Sequence, residues 1–267
     1  MDHLYRDLAP LSDRAWQAVC DEAKTRLVPY LGARRLIDFQ GPLGWEYSAT
    51  NLGRTETLAE GMYDGVRARQ RRVLPLVELR AAFSLARSEL EDIDRGASDA
   101  DFSDLERAAR QIALSENQAV FHGFAAGGIG GIVQSTSNDV VTLDDDFEHY
   151  PASVARAVNV LRTAGIDGPY GLALSPAEHT GVIETTEDGG YLVFDHLRRI
   201  LDGPIVWTPG LAFAAVLSLR GGDFLMECGQ DLSVGYLAHD AENVQLYLEL
   251  TFSFRVTEPD AAVELRR

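Results

Sequence analysis

The sequence predicts an α+β fold, and three patterns carry that prediction. Near the C-terminus Val244, Leu246, Leu248, Leu250, Phe252, Phe254 and Val256 alternate strictly with Gln245, Tyr247, Glu249, Thr251, Ser253 and Arg255. A period of two sustained that far is one strand with an apolar buried face and a polar outer face. Strands usually run to about 5 or 6 residues, so this one is expected to span a wide sheet or to bridge to a neighbouring subunit. Apolar residues recur at helical spacing over 11–28 and 103–124, and residues 150–225 alternate helix and strand patterns.

In chain order, Leu11, Ala15, Trp16, Val19, Cys20, Ala23 and Leu27 form one helical stripe, with Ser12 placed as N-cap and Pro29 just past the end. Residues 32–39 read as a short strand, and Gly41-Pro42-Leu43-Gly44-Trp45-Glu46-Tyr47 as a turn-rich connection. Residues 48–72 hold neither period and end in Arg67, Arg69, Arg71 and Arg72, which predicts a long extended loop or hairpin. Leu74–Arg80 restores a strand pattern. Ser103-Asp104-Leu105-Glu106 is a capping box that opens a helix to about Phe124, with Leu105, Ala109, Ile112 and Val120 on its buried stripe. Glu116 falls on that same stripe, where a buried carboxylate needs a partner, and a structural ion pair is the favoured reading over a catalytic acid. The glycines at 127, 128, 130 and 131 follow this helix instead of preceding one, so they stop it and do not cradle a phosphate. Further helices are expected at 153–164, after Ser175-Pro176, and at 194–201, with strands at 172–174, 205–208, 213–219 and 224–228. Arg220-Gly221-Gly222-Asp223 reads as a hairpin turn. No repeat or low-complexity linker divides the chain, so any two domains are interleaved.

Composition narrows the function. The chain has 267 residues and a net charge of −17, which argues against nucleic acid, since phosphate binding needs clustered Lys and Arg. Residues 1–36 carry six basic and five acidic groups, a near-neutral arm on an acidic body. No apolar run of membrane-spanning length exists, and the N-terminus lacks the basic and apolar regions of a secretory signal, so a cytoplasmic location and no membrane partner are expected. Cys20 and Cys228 stand in no metal or redox spacing and read as buried reduced thiols.

Catalytic motifs are missing: there is no G-x-S-x-G elbow, H-E-x-x-H, P-loop or paired CxxC, and the six histidines show no ligand spacing. Asp144-Asp145-Asp146-Phe147-Glu148-His149 is the one cluster of carboxylates with a histidine. It lacks the alternating spacing and glycine of a calcium loop, so a solvated acidic loop is favoured and no metal site is expected.

Specific strings say more than patterns. Leu4-Tyr5-Arg6-Asp7-Leu8-Ala9-Pro10 with Trp16, the 41–47 string, Leu74-Pro75-Leu76-Val77-Glu78-Leu79-Arg80, Asp94-Arg95-Gly96, Glu116-Asn117 with Val120-Phe121-His122-Gly123, Gly168-Pro169-Tyr170, Arg220-Gly221-Gly222-Asp223-Phe224 and Gly229-Gln230-Asp231-Leu232-Ser233-Val234-Gly235-Tyr236 occur in that order over nearly the whole chain. Together they resemble the encapsulins, shell proteins of bacterial nanocompartments also described as linocin-like bacteriocins. The resemblance implies the tailed-phage major capsid protein fold: an N-terminal helical arm (1–40), an extended loop (41–75), a peripheral domain (76–130 and 226–267) and an axial domain (131–225). It implies a non-enzymatic chain that assembles with itself into an icosahedral shell, of sixty subunits if the smallest closed form is made. Cargo would be a ferritin-like iron oxidase or a dye-decolorising peroxidase, held by its C-terminal targeting peptide.

Carried over by resemblance, the peptide site would use Leu27, Arg34, Asp38, Phe39, Asp231, Leu232 and Val234. The loop Glu184, Thr185, Thr186, Glu187, Asp188, Gly189, Gly190 and Tyr191 would line the five-fold pore and favour small cations such as ferrous iron. No cofactor is expected in the shell itself: some members bind flavin through an aromatic two residues before the Leu90 position, where this chain has Ser88. A prophage-derived capsid protein is the alternative of the same fold, and a peptidase or bacteriocin the more distant one, disfavoured by the missing nucleophile and base.

Overall fold

The computed structural model describes residues 3–58, 63–187 and 189–267. Among these residues the strands form two five-stranded sheets and a separate two-stranded ribbon. The first sheet is organised by β11 (Asn243–Val256), whose 14 residues extend roughly 46 Å at strand rise. One of its edges pairs antiparallel with β4 (Val77–Ala86) from Asn243 to Phe252. The other edge takes two shorter strands end to end: β10 (Ser233–His239) along its first half and β9 (Phe224–Cys228) along its second. β1 (Asp38–Gln40) adds parallel to β9. The unusual length of β11 is thus used within one protomer.

Both faces of β11 are covered, which departs from the one-sided burial that the alternation suggests. Its apolar face packs with α3 (Ser103–His122), whose stripe Leu105, Ala109, Ile112 and Val120 is buried as expected. The other face is polar yet equally dry: Tyr247, Glu249, Thr251 and Ser253 are all buried. Each has a polar or charged neighbour against it. Arg80 Nε donates to Glu249 at 2.6 Å and its guanidinium lies 4.7 Å over the Tyr247 ring. Thr251 Oγ1 accepts from the Gln230 backbone N–H, and Ser253 Oγ shares a 2.6 Å hydrogen bond with Thr50. His3 stacks on Trp45 at 3.9 Å and reaches Glu249, so the N-terminal segment helps to close this face. Alternation marks the strand, while tertiary cover decides what is wet.

The second sheet runs β5 (Val141–Thr142), β12 (Ala262–Arg266), β8 (Ala214–Ser218), β6 (Tyr170–Leu174), β7 (Ile205–Trp207). β6 and β8 are buried throughout, with α5 (Tyr150–Thr163), α6 (Pro176–Glu184) and α7 (Val193–Leu201) packed around the sheet. The ribbon is β2 (Ala49–Thr57) paired antiparallel with β3 (Arg69–Pro75), inside the stretch read as an extended loop or hairpin. α1 (Asp13–Leu27) carries the Ser12 cap, whose Oγ accepts from Ala15 N, and buries Ala15, Val19, Ala23 and Leu27.

Several expectations change. Residues 33–35 form a 3-10 turn in place of a strand, because Ala33 N donates to Asn117 Oδ1 and Arg34 is drawn to Glu116, wrapping the segment against α3. The strand at 74–80 is a junction: β3 ends at Pro75, Leu76 N bonds Ser48 O, and β4 runs on to Ala86. Arg220–Asp223 is no hairpin turn. It carries the chain from β8 in the second sheet to β9 in the first, locked by the Arg220–Asp223 ion pair. The segment 226–267 also divides: β12 leaves the first sheet and pairs with β8 and β5, since Val263 and Leu265 alternate into the second core. β1, inside the 1–40 arm, belongs to the first sheet.

Phe254 is buried at the β9 end of the long strand. Phe254→Ala is expected to cost about 3–5 kcal/mol, read as a lower denaturant midpoint.

Candidate functional site

A groove of about 380 Å³ opens between α1 and the start of β10. Helical spacing puts Cys20, Ala23, Lys24 and Leu27 on one side of α1, and Val28, Leu31 and Arg34 continue that wall. Asp231, Leu232, Ser233 and Val234 form the other, with Leu248 of β11 beneath. The lining is mainly apolar, and Val28 is 58% exposed at the helix end. An exposed valine beside a concave apolar floor leaves apolar surface open to water.

The polar end of the groove is rigid. Arg34 makes a two-pronged bond to Glu116, Nε to Oε1 at 2.8 Å and Nη2 to Oε2 at 2.7 Å, while Nη1 reaches Asp231 Oδ1 at 2.8 Å. Burial works against the Arg34 charge, and the hydrogen bonds and charge of Glu116 with Asp231 overcome it, holding the guanidinium above its usual range. Glu116 has no solvent exposure. Burial pushes its carboxyl up, and Arg34 pulls it back. Asp231 Oδ1 also accepts from Leu232 N at 2.8 Å, which sets the turn into β10. Beside the pair, buried Asn117 accepts from Ala33 N and donates to Tyr30 O and Pro209 O, pinning the end of the arm to α3.

Of the residues predicted for peptide binding, Leu27, Arg34, Asp231, Leu232 and Val234 come together here. Phe39 lies 4.7 Å from the Arg34 guanidinium and supports it from the side. Asp38 does not join them. Its Oδ2 accepts from Gly222 N at 2.6 Å and so holds the crossover between the sheets. Sequence reasoning passed over Lys24, Val28 and Leu31 as groove residues, although the helical period running on from Leu27 would have indicated them. Arg6 was also missed; its Nε donates to Val234 O at 2.8 Å.

The loop 184–191 is more ordered than its composition suggests. Thr185 follows the end of α6, and Thr186 bridges to Leu192. Glu187 N donates to Tyr191 O and Gly190 N to Glu187 O, with Gly189 and Gly190 at φ +98° and +82° closing the turn. Glu184 is exposed at its base. The Glu187 carboxylate folds back onto His196 Nδ1 at 2.8 Å, and the Tyr191 ring sits 5.2 Å from Arg199. Asp188 lies outside the described residues.

Elsewhere, Asp144 and Asp146 accept from backbone N–H groups of their own turn, and backbone hydrogen bonding lowers the Asp144 pKa. Among the described residues no group of three or more His, Cys, Asp or Glu is arranged to hold a metal, and no helix is long and apolar enough to cross a membrane. Both cysteines are free, with Cys228 fully buried and its thiol pushed up to about 12, chiefly by burial.

A long helix against a long-stranded sheet, a second mixed sheet and a projecting ribbon make up the fold of tailed-phage capsid proteins. The virus-like particle protein from Pyrococcus furiosus superposes with a TM-score of 0.64 at 18% identity, covering 95% of this chain and 98% of that one. The Mycobacterium phage Bobi chain gives 0.58 at 14% identity, covering 89% and 90%. Within that class, the family model described as "Encapsulating protein for peroxidase" matches residues 1–253. The type 1 encapsulin shell protein of Rhodospirillum rubrum is 48% identical, over 100% of this chain and 97% of its own length. That of Brevibacterium linens is 42% identical over 99% of each, and that of Mycobacterium tuberculosis 39% identical over 99% of each. The chain belongs to the encapsulin shell protein family.

Arg34→Ala leaves Glu116 buried without its cation, and a loss of about 3–5 kcal/mol is expected in chemical denaturation. The sign with pH follows. The orphaned carboxyl has a folded pKa raised above its unfolded value, so stability is lost as pH rises through that window and the deficit shrinks on acidification. Adding Glu116→Leu to Arg34→Ala should recover much of the loss.

Proposed function

We propose that this protein is the non-catalytic shell subunit of a cytoplasmic compartment, assembling with itself into a closed icosahedral particle around a cargo enzyme. The observation that carries the cargo half of this reading is the groove: an apolar floor open to solvent, ended by an Arg34–Glu116–Asp231 cluster too firmly bonded to move. An extended peptide gains apolar burial along such a floor, while fixed polar groups at its end set register without an ordering cost to the shell. The family description points to a peroxidase as cargo, and a ferritin-like iron oxidase is the alternative. The sixty-subunit form and a shell without its own cofactor complete the proposal; Ser88 lies exposed on α2 (Arg87–Arg95), where flavin-binding relatives are expected to carry an aromatic.

Expression of the chain alone, followed by light scattering and negative-stain microscopy, tests the shell directly. Uniform hollow spheres of megadalton mass are expected, and a monomer or dimer would overturn the reading. For the groove, Val28→Asp with Leu232→Asp places charges where apolar side chains are to dock. Shell yield should be unchanged and co-purified cargo should fall at least roughly tenfold, as about 1.4 kcal/mol of lost binding requires.

For the pore, the proposal assigns the 184–191 turn to the five-fold axis. Repetition of Glu184 and Glu187 around that axis concentrates cations. Glu184→Lys with Glu187→Lys is expected to slow cation entry at low ionic strength and to leave neutral solutes unaffected. Equal cation rates in both shells would remove the turn from the pore.

A further inference from the structure

A second hollow, of about 570 Å³, opens beside the end of α1 and shares no residue with the groove. Its size is that of a small-molecule site. Arg26 lines it from α1, Arg107 and Arg110 from the first turns of α3, Tyr30 from the turn that follows α1, and Trp207 from the end of β7. The Tyr30 and Trp207 rings are half-buried, 5.3 Å apart and inclined at 55°, and so form an open aromatic corner. That corner is fixed from behind. Buried Asn117 donates to Tyr30 O and to Pro209 O, both at 2.8 Å, and so ties together the two segments that carry the rings. Gly32 comes so close to the second segment that a Cβ there would lie 2.9 Å from Thr208. A planar ligand entering the corner therefore meets walls already in place, and little ordering opposes its binding.

The charge of the hollow runs against that of the molecule. Three arginines meet one carboxylate in its lining, in a chain of net charge −17. The carboxylate, Glu106, is taken by Arg26 Nη2 at 2.7 Å. Arg107 pairs with Asp104 at 2.9 Å, an exposed contact of little strength. Arg110 has no ion pair among the described residues, and its guanidinium lies 5.8 Å from the centre of the Tyr30 ring. Three residues apart, Arg107 and Arg110 share one side of the helix, where like charges repel. An anion held between them relieves that repulsion and supplies acceptors for N–H groups that otherwise face water.

We propose that this hollow binds a nucleoside phosphate, its base in the Tyr30–Trp207 corner and its phosphate between Arg107 and Arg110. The planar guanidinium fork matches phosphate oxygens. Aromatic side chains stack on any base, because every base has a π-face. A nucleic-acid strand suits the site poorly, since it needs cations along an extended track and this chain is acidic as a whole. The site is separate from the shell and cargo readings and depends on neither.

Equilibrium dialysis of the full chain against ADP, adenosine and inorganic phosphate at low ionic strength tests the assignment. ADP is expected to bind saturably, at least roughly tenfold more tightly than either fragment, and to weaken as salt is raised. Arg107→Ala with Arg110→Ala alters only exposed side chains. With folding confirmed by circular dichroism, its affinity for ADP should fall at least roughly tenfold. Trp207→Leu, likewise checked for folding, should weaken ADP and adenosine while leaving phosphate unchanged. Absence of saturable ADP binding, or phosphate binding as tightly as ADP, overturns the proposal. So does a folded arginine variant that binds ADP like the parent.

Discussion

Glu116 sits near the middle of α3 without solvent access, and a carboxylate in that position is tolerable only with a cation held against it. The cation is Arg34, which arrives from the end of the arm, and its remaining N–H groups bind Asp231 from the connection between β9 and β10. Three segments remote in sequence are thereby joined at one point. The 3-10 turn at 33–35, the inward path of the arm and the orientation of the Asp231 turn all follow from satisfying that single group. The groove between α1 and β10 is the space this arrangement leaves open. Hydrophobic packing alone would not hold its two walls at a fixed separation, because apolar contacts are non-directional.

β11 imposes a second constraint of the same type. A strand buried on both faces needs partners for its buried polar side chains, and Arg80, Gln230, Thr50 and His3 approach Glu249, Thr251 and Ser253 from four different parts of the chain. This explains why the N-terminal segment and residues 45–50 lie flat on the sheet. β4 is committed to β11 over ten paired positions, so whatever extends from β4 inherits its direction. The ribbon extends from it. Its arginines are carried outward on a rigid base, and the absence of cover on them is a consequence of geometry more than of local sequence.

Much of this architecture is legible in the sequence, for identifiable reasons. β11, α1 and α3 are long and strongly periodic, and the partner that Glu116 demands is a deduction from one carboxylate on an apolar stripe. The ribbon is visible as a stretch lacking either period. The failures share a cause in tertiary context. Asp38, assigned to the peptide site by resemblance, lies away from the groove with its carboxylate taken by the Gly222 N–H. Residues 33–35 have strand-like composition but are bent by Asn117 and Arg34. The separation of β8 and β9 into different sheets, and the return of β12 to the second, depend on partners more than 20 residues away, which no local pattern encodes. Alternation on β11 correctly located the strand and misled only about solvent, since polar residues there face other polar residues.

The groove and the ribbon are surfaces of different chemistry. The groove is mainly apolar, with the Arg34–Glu116–Asp231 cluster bonded at one end and Arg6 and Lys24 in its walls, so on the reading proposed above an occupant gains chiefly by burial. The ribbon is charged and exposed, so its arginines act over distance and are weakened by screening. The two surfaces share no residue. On that reading an occupant of the groove leaves the ribbon's charges as they are, so the two surfaces answer separately to burial and to ionic strength.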